Sequence, residues 1–319
     1  MTRNTSPTGQ MLRLAPGKQD LVKRTPIVLT DRDRDILSAL FTQGFLTTEL
    51  VELAFFSDSA EGRHSPSSRA YERLRQLWSW RLVERIEIPT LRSLGGRRPF
   101  LYTLGPRGVP VVAEQLQQGV GLVQRRRVDR LRTTFLDHEL TVASFWAHLV
   151  ALLHSSKAML QCWIPEREIR ARKLRVYDRR TQRLIPVLPD AVFLVRYPDN
   201  FVQTCYLEVD MGTLTVGRYQ QKLRAFEDEE GRWLGADRTA VDFEVCVLTR
   251  SRQRLNQLWR ATRETVDGNR WSWYSFATLD LLQPQRFRDT SWVSAENEFV
   301  SLLHNQAFVE TSIEEGAQQ

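Results

Sequence analysis

The stretch from Asp190 to Glu208 is symmetric about a single residue. The turn sequence Tyr197-Pro198-Asp199-Asn200 stands midway between Pro189-Asp190 and Glu208-Val209-Asp210, with Asp190 nine residues before Asp199 and Glu208 nine after. The apolar runs 191–195 and 201–207 that separate them predict an antiparallel hairpin. Residues equidistant from the turn then lie opposite each other on one face, so two carboxylates are directly opposed. Such a pair requires a proton, a basic side chain or a divalent cation between its members. Two oxygen ligands suit Mg²⁺ or Mn²⁺. This one segment therefore restricts both the backbone register and the chemistry.

A chain of 319 residues exceeds what one hydrophobic core usually serves, and about two domains are expected. The longest apolar stretches, such as 143–153, contain a histidine and fall short of the ~20 residues a membrane span needs. The basic N-terminus lacks an apolar h-region. A cytoplasmic protein with no membrane partner is expected. Cys162, Cys205 and Cys246 stand far apart, with no C-x-x-C and no histidine at ligand spacing. That spacing gives no zinc signature and no disulfide framework, and buried free thiols are expected. Nucleotide-binding glycine loops, H-E-x-x-H and G-x-S-x-G are absent, which disfavours ATP-driven mechanisms. The net charge of +7 is concentrated: residues 61–107 hold 10 Lys and Arg against 4 Asp and Glu, and residues 125–183 hold 14 against 6. Most are arginines, whose planar fork suits phosphate.

Residues 1–27 read as a disordered tail and 28–120 as a DNA-binding domain. Thr30 as N-cap, Asp31, Asp33 and Asp35 in the first turn, and Ile36, Leu37, Leu40 and Phe41 at helical spacing predict a helix over 31–43, stopped by Gly44. Thr47-Thr48 open a second helix, and Ser65-Pro66-Ser67-Ser68 a third that runs to about Trp80. The third carries an apolar stripe of Ala70, Tyr71, Leu74, Leu77 and Trp78, and a polar face of Arg69, Glu72, Arg73 and Gln76. Strands at 83–88 and 100–104 flank a loop containing Gly95-Gly96-Arg97-Arg98. Three helices and a hairpin with a basic tip describe a winged helix-turn-helix. Ser67, Ser68, Arg69, Arg73 and Gln76 are then expected in the major groove, and Arg97 and Arg98 on phosphates or in a narrow minor groove. Dimerisation or protein contact is the competing use of such a unit.

The domain boundary is expected between 119 and 127, with a second domain over 128–300 and a solvated tail over 301–319. A long helix over 128–154 is followed by strands at 161–164 and 167–176 and by the Asp190/Glu208 hairpin. A helix at 215–229, a strand at 241–249, a helix at 251–265 and a strand at 271–277 complete an α/β (α+β) order. Trp271 and Trp273 alternate along the last strand and are expected in a core rather than stacked on bases. This order resembles the PD-(D/E)XK nuclease-like fold. Asp190 and Glu208 match that family's first acid and the acid of its E-x-K. Asp210 stands where the lysine is expected, with Lys222 on the next helix as a relocated lysine or a plain surface residue. Glu139 matches an extra acid carried by some members on the preceding helix.

The two halves together resemble the replication-relaxation family of plasmids and integrative elements. The resemblance rests on Tyr102-Thr103-Leu104-Gly105-Pro106-Arg107-Gly108, His138, Pro189-Asp190, the segment Leu207 to Thr213, and Lys222. It implies an accessory DNA-binding protein at an origin of replication or of conjugative transfer, with His138 beside the acid cluster. Expected partners are double-stranded DNA, a relaxase or replication initiator, and a second copy of the chain as a homodimer. The competing functions are a Mg²⁺-dependent endonuclease using Asp190 and Glu208, and a transcriptional repressor.

Overall fold

The computed structural model describes residues 28–56, 67–87, 100–120, 123, 133–178, 180–229, 241–283, 286–287 and 292–303, and the strand at 13–14. At 13, 14, 67, 68, 87, 133, 134, 228, 229, 241 and 242 the description is of backbone alone. The fold is mixed α/β and divides into two compact units, 1–147 and 148–319.

In the first unit, α1 (Asp31–Gln43) begins with a reciprocal cap. The Thr30 amide donates to Asp33 Oδ2 at 2.7 Å, and the Asp33 amide donates back to Thr30 Oγ1 at 3.3 Å. Gly44, at φ 82°, ends the helix, and Ile36, Leu37 and Leu40 are fully buried. Helix α2 (Thr48–Phe55) is capped by Thr47, and α3 (Ser67–Ser79) follows with Ala70, Leu74 and Leu77 inside. The carboxylate of Glu52 in α2 accepts the Ala70 amide at 3.0 Å, so α2 satisfies one of the N-terminal donors of α3 and fixes how the two meet. The antiparallel pair β3 (Val83–Glu87) and β4 (Leu101–Leu104) then returns, with Arg85 between the rings of Trp78 and Phe100. These bounds follow the sequence expectation to within a residue or two.

Two short strands go beyond that expectation. Leu46–Thr47 (β2) pairs with β4, and Arg13–Leu14 (β1), inside the stretch that reads as a disordered tail, pairs with the free edge of β3. The sheet order is β1-β3-β4-β2. An open strand edge offers unpaired N–H and C=O groups that two residues of tail suffice to use.

After β4 the chain turns at Gly105-Pro106-Arg107-Gly108 into α4 (Gly108–Gln115). The Gly105 amide donates to Leu82 O at 2.8 Å, and a Cβ at Gly105 would overlap Arg81 O and stand 2.8 Å from the Leu82 carbonyl carbon. Backbone, unlike a side-chain tip, cannot swing away. Gly105→Ala is therefore expected to lower stability by about 1–3 kcal/mol, the usual cost of overpacking, as a reduced urea midpoint at unchanged slope.

The long helix α5 (Thr133–His154) contains the division between the two compact units, which falls after Ala147. Its early turns belong to the first unit because Leu136 packs with Phe45, Ile86 and Leu101.

The second unit is built on a seven-stranded mixed sheet of order β13-β12-β11-β10-β9-β8-β5. Strands β5 (Met159–Pro165), β8 (Ala191–Arg196) and β9 (Val202–Asp210) are antiparallel neighbours. The crossover helices α7 (Val216–Glu229) and α8 (Arg252–Thr265) make β10 (Val241–Thr249) parallel to β9, and β11 (Tyr274–Thr278) parallel to β10. Strands β12 (Trp292–Ser294) and β13 (Phe299–Val300) close the far edge. Tyr219, Leu223 and Phe226 of α7 and Leu255, Leu258 and Ala261 of α8 pack on the core that Tyr206, Val245 and Phe276 share.

Two expectations are corrected here. Residues 167–176, expected as a strand, form α6 (Glu166–Arg172) and then β6 (Arg175–Asp178), which pairs with β7 (Arg183–Pro186). The i,i+4 ion pairs Glu166–Arg170 and Glu168–Arg172 support the helix, and Lys173, at φ 53°, ends it. Trp271 and Trp273 lie in a 3₁₀ turn over 268–273 rather than on a strand. They pack against the core with Arg263 and Arg270 over their rings.

Candidate functional site

The β8–β9 hairpin turns through Asn200, at φ 67°, whose amide donates to Tyr197 O at 3.0 Å. Its pairs run from Arg196↔Val202 to Ala191↔Leu207, centred on Asp199. One step further, Asp190 falls opposite Glu208, the register implied by the symmetry of the sequence. The Asp190 amide donates to Leu207 O at 2.9 Å, and its carboxylate accepts the Val209 amide at 2.7 Å. Asp190 and Glu208 are both buried, at 8% and 3% exposure.

A basic side chain answers the opposed charges. Lys222 stands on α7 one turn after Tyr219 and one residue before Leu223, whose burial turns this side of the helix to the sheet. Its ammonium lies 2.5 Å from Glu208 Oε1. Burial alone would lower its pKa, but the charges of Glu208, Asp190 and Glu166 and the hydrogen bond to Glu208 outweigh burial and push it up to about 12. Glu166 opens α6 where β5 ends, and its amide donates to Asp190 O at 3.0 Å. The sequence hides this acid, because Glu166 stands just before 167–176, a stretch expected as a strand and found to begin with a helix.

Asp210, two residues past Glu208 and on the same face, takes a different partner. Arg254 of α8 donates from Nε to Asp210 Oδ2 at 2.6 Å and from Nη2 to Leu214 O at 2.5 Å. Where the E-x-K pattern places a lysine, this chain has an acid bound to an arginine. A third pair repeats the device: buried Asp178 holds Arg224 Nε at 3.2 Å. Burial would raise Asp178, but Thr181, the Arg180 amide and Arg224 hold it below the ordinary carboxylate value. Three acid–base pairs thus fasten α7 and α8 to the strands beneath them. His138 and Glu139 lie in α5 within the first unit, both partly buried.

Asp190 and Glu208 offer the hard oxygen donors that suit Mg²⁺ or Mn²⁺, ions that take one or two carboxylates and complete the shell with water and phosphate. Among the described residues no third His, Cys, Asp or Glu donor closes on both to within 4.8 Å. A cation here competes with Lys222 for Glu208. The group whose donors do lie within 4.8 Å of one another is Cys205, Glu244 and Cys246, on adjacent strands and on the other face of β9. Sequence spacing could not show this, because the cysteines are brought together by the parallel pairing of β9 and β10. Cys205 and Cys246 are fully buried, and burial pushes the Cys246 thiol well above its ordinary value. Glu244 accepts from Ser275 Oγ and, at 2.7 Å, from Gln203 Nε2.

On the first unit, Arg69 is exposed near the start of α3. Arg73 instead turns inward: its guanidinium grips both carboxylate oxygens of Asp33, with Nε 2.6 Å from Oδ1, and Nη1 donates to Gln76 Oε1 at 2.7 Å. Gln76 also donates to Glu72 at 3.3 Å, and Glu72 pairs with Arg75. Of the groove-facing set, Arg73 and Gln76 are therefore engaged within the unit. Arg97 and Arg98, and the side chains of Ser67 and Ser68, lie outside the described residues.

No helix among the described residues is long and apolar enough to cross a membrane. The family model for replication-relaxation proteins matches residues 37–236, more than half of the chain. No curated protein and no solved structure gives a match.

Proposed function

The chain belongs to the replication-relaxation family, and from that membership, which implies a role in plasmid replication, we infer that it is a DNA-binding accessory protein of plasmid or integrative-element replication or mobilisation. The first unit acts as a winged helix-turn-helix that grips duplex DNA, and the second as a nuclease-like frame. The observation that carries this reading is α3: its inner side is fixed by Ala70, Leu74 and Leu77 and by the Glu52 cap, it presents Arg69 outward, and the β3–β4 hairpin follows. Rigid placement of such a helix is what groove recognition requires. Within this reading Arg73 sets the pose of α3 through Asp33, while Arg69, Arg97 and Arg98 meet phosphate. A relaxase or replication initiator and a second copy of the chain remain the proposed protein partners.

The joint variant Arg69→Ala, Arg97→Ala and Arg98→Ala tests this. It is expected to bind duplex DNA more weakly, with the dependence of log affinity on log salt reduced by roughly 0.9 for each phosphate that is no longer neutralised. Affinity and slope equal to wild type would remove this unit from the interface.

One observation favours a second reading, Mg²⁺-dependent strand cleavage: two carboxylates and a lysine share one face at the end of a hairpin. In it Asp190 and Glu208 would hold the ion, and Lys222 would orient a water beside the phosphate. A bound divalent ion would supply a lowered water pKa and charge stabilisation. Arg254 holds both carboxylate oxygens of Asp210, the residue that stands where the E-x-K pattern has its lysine, and this departure weighs toward the binding protein.

A further inference from the structure

Helix α8 has a second functional side. Arg254 points into the unit toward Asp210, but Arg252, Asn256 and Arg260 recur every four residues and form one exposed row. They line an open cavity of about 220 Å³ together with Leu255, Trp259, Val293 and Asn297. Leu255 and Val293 lie at its base, both buried, and the polar side chains make up most of its exposed lining. The indole of Trp259 is held in place: its Nε1 donates to Ser294 O at 3.0 Å, and the Arg263 guanidinium lies 4.7 Å from its ring centre.

Some exposed arginines of the chain are neutralised by an acid and others are not. Arg75, Arg170, Arg172 and Arg286 each pair with a nearby acid. Arg252 and Arg260 have no ion pair or hydrogen bond among the described residues, and no acid lines the cavity between them. Two guanidinium groups without ion-pair partners keep their donors available to an anion. Eight residues of helix separate them by about 12 Å, enough to reach phosphates of neighbouring nucleotides. The carboxamides of Asn256 and Asn297 add donors and acceptors beside the ring of Trp259, the combination that suits a sugar or base edge beside its phosphate.

We propose that the Arg252–Asn256–Arg260 row is a second DNA-binding site, carried by the C-terminal unit and taking the phosphodiester backbone. It rests on the DNA-binding reading but uses residues that the winged unit does not.

The test uses the full chain with Arg252→Gln and Arg260→Gln together, and a fluorescently labelled oligonucleotide as both duplex and single strand, titrated over a series of salt concentrations. Both side chains are exposed, so the unfolding midpoint should not move. The expected result is about tenfold weaker binding and a salt slope smaller by roughly 2, close to 0.9 for each of two phosphates released. Weaker binding of the duplex alone or of both forms supports the site and tells which strand state it takes. Unchanged affinity and slope on both, in the same experiment where the Arg69, Arg97 and Arg98 variant loses binding, would overturn this site and leave the winged unit standing. Wild-type protein that binds neither form would overturn both.

Discussion

Lys222→Met is expected to destabilise the C-terminal unit by about 3–5 kcal/mol at neutral pH, the cost of removing one partner from a buried ion pair. Two effects add. Glu208 is deprived of the ammonium 2.5 Å away while remaining buried, and Asp190 loses the Lys222 charge that also acts on it. The pH dependence follows from the raised pKa of Lys222, about 12 against an ordinary 10.5. Stabilisation by a base whose folded pKa is raised is fully present below 10.5 and is lost as pH rises through 12. The gap between wild type and variant should therefore be constant across neutral pH and close in strong alkali. Adding Glu208→Gln to Lys222→Met should recover part of the loss, because a neutral amide is cheaper to bury unpaired than a carboxylate. Urea unfolding of the four proteins measures this. A Lys222→Met loss below about 1 kcal/mol would mean that Glu208 is neutralised by a proton instead.

Arg73→Ala carries the second large effect, in the first unit, and it separates scaffold from DNA contact. Asp33 is 1% exposed, closes the cap of α1, and receives the Arg73 fork on both oxygens. Removing the fork leaves a buried carboxylate at the junction of α1 and α3, again worth about 3–5 kcal/mol. Burial alone would raise Asp33, but Arg73 and the Thr30 amide and hydroxyl together bring it below its ordinary 3.8. Stability from a depressed carboxyl is present above 3.8 and is lost as pH falls below that through the folded value. The Arg73→Ala deficit should accordingly shrink in acid. Arg69→Ala should do the opposite of Arg73→Ala at neutral pH, weakening DNA binding while leaving the unfolding midpoint in place. If Arg73→Ala unfolds like wild type yet loses DNA, Arg73 belongs to the interface after all.

The contrast between these two arginines shows what a sequence can and cannot disclose. Local features were legible: the Thr30 cap and its apolar spacing gave α1 to the residue, and the turn at Asp199 gave the register that opposes Asp190 to Glu208. Both are set by neighbours within a few residues or by one axis of symmetry. Partnerships over long separations were not legible. Arg73 sits on the polar face of an amphipathic helix, and nothing in its spacing says that an acid 40 residues earlier will claim it. Asp210 and Arg254, 44 residues apart, meet only because the parallel pairing of β9 and β10 brings the start of α8 beside the end of β9. Strands of two to four residues, such as β1, β2, β6 and β7, are too short for alternation to register. Helix α6 escapes a pattern reading because its stability comes from ion pairs rather than an apolar stripe, and Glu166 goes unnoticed with it.

The most direct test of the central claim is to add the purified full-length protein to supercoiled plasmid in Mg²⁺ at low salt and to follow mobility and strand integrity, with EDTA and Glu208→Ala as controls. The DNA-binding reading predicts retarded plasmid that stays covalently closed, with the retardation reversed by salt and indifferent to EDTA. Plasmid that migrates as free DNA at every protein concentration would contradict it, and Mg²⁺-dependent nicking abolished by Glu208→Ala would replace it with the nuclease.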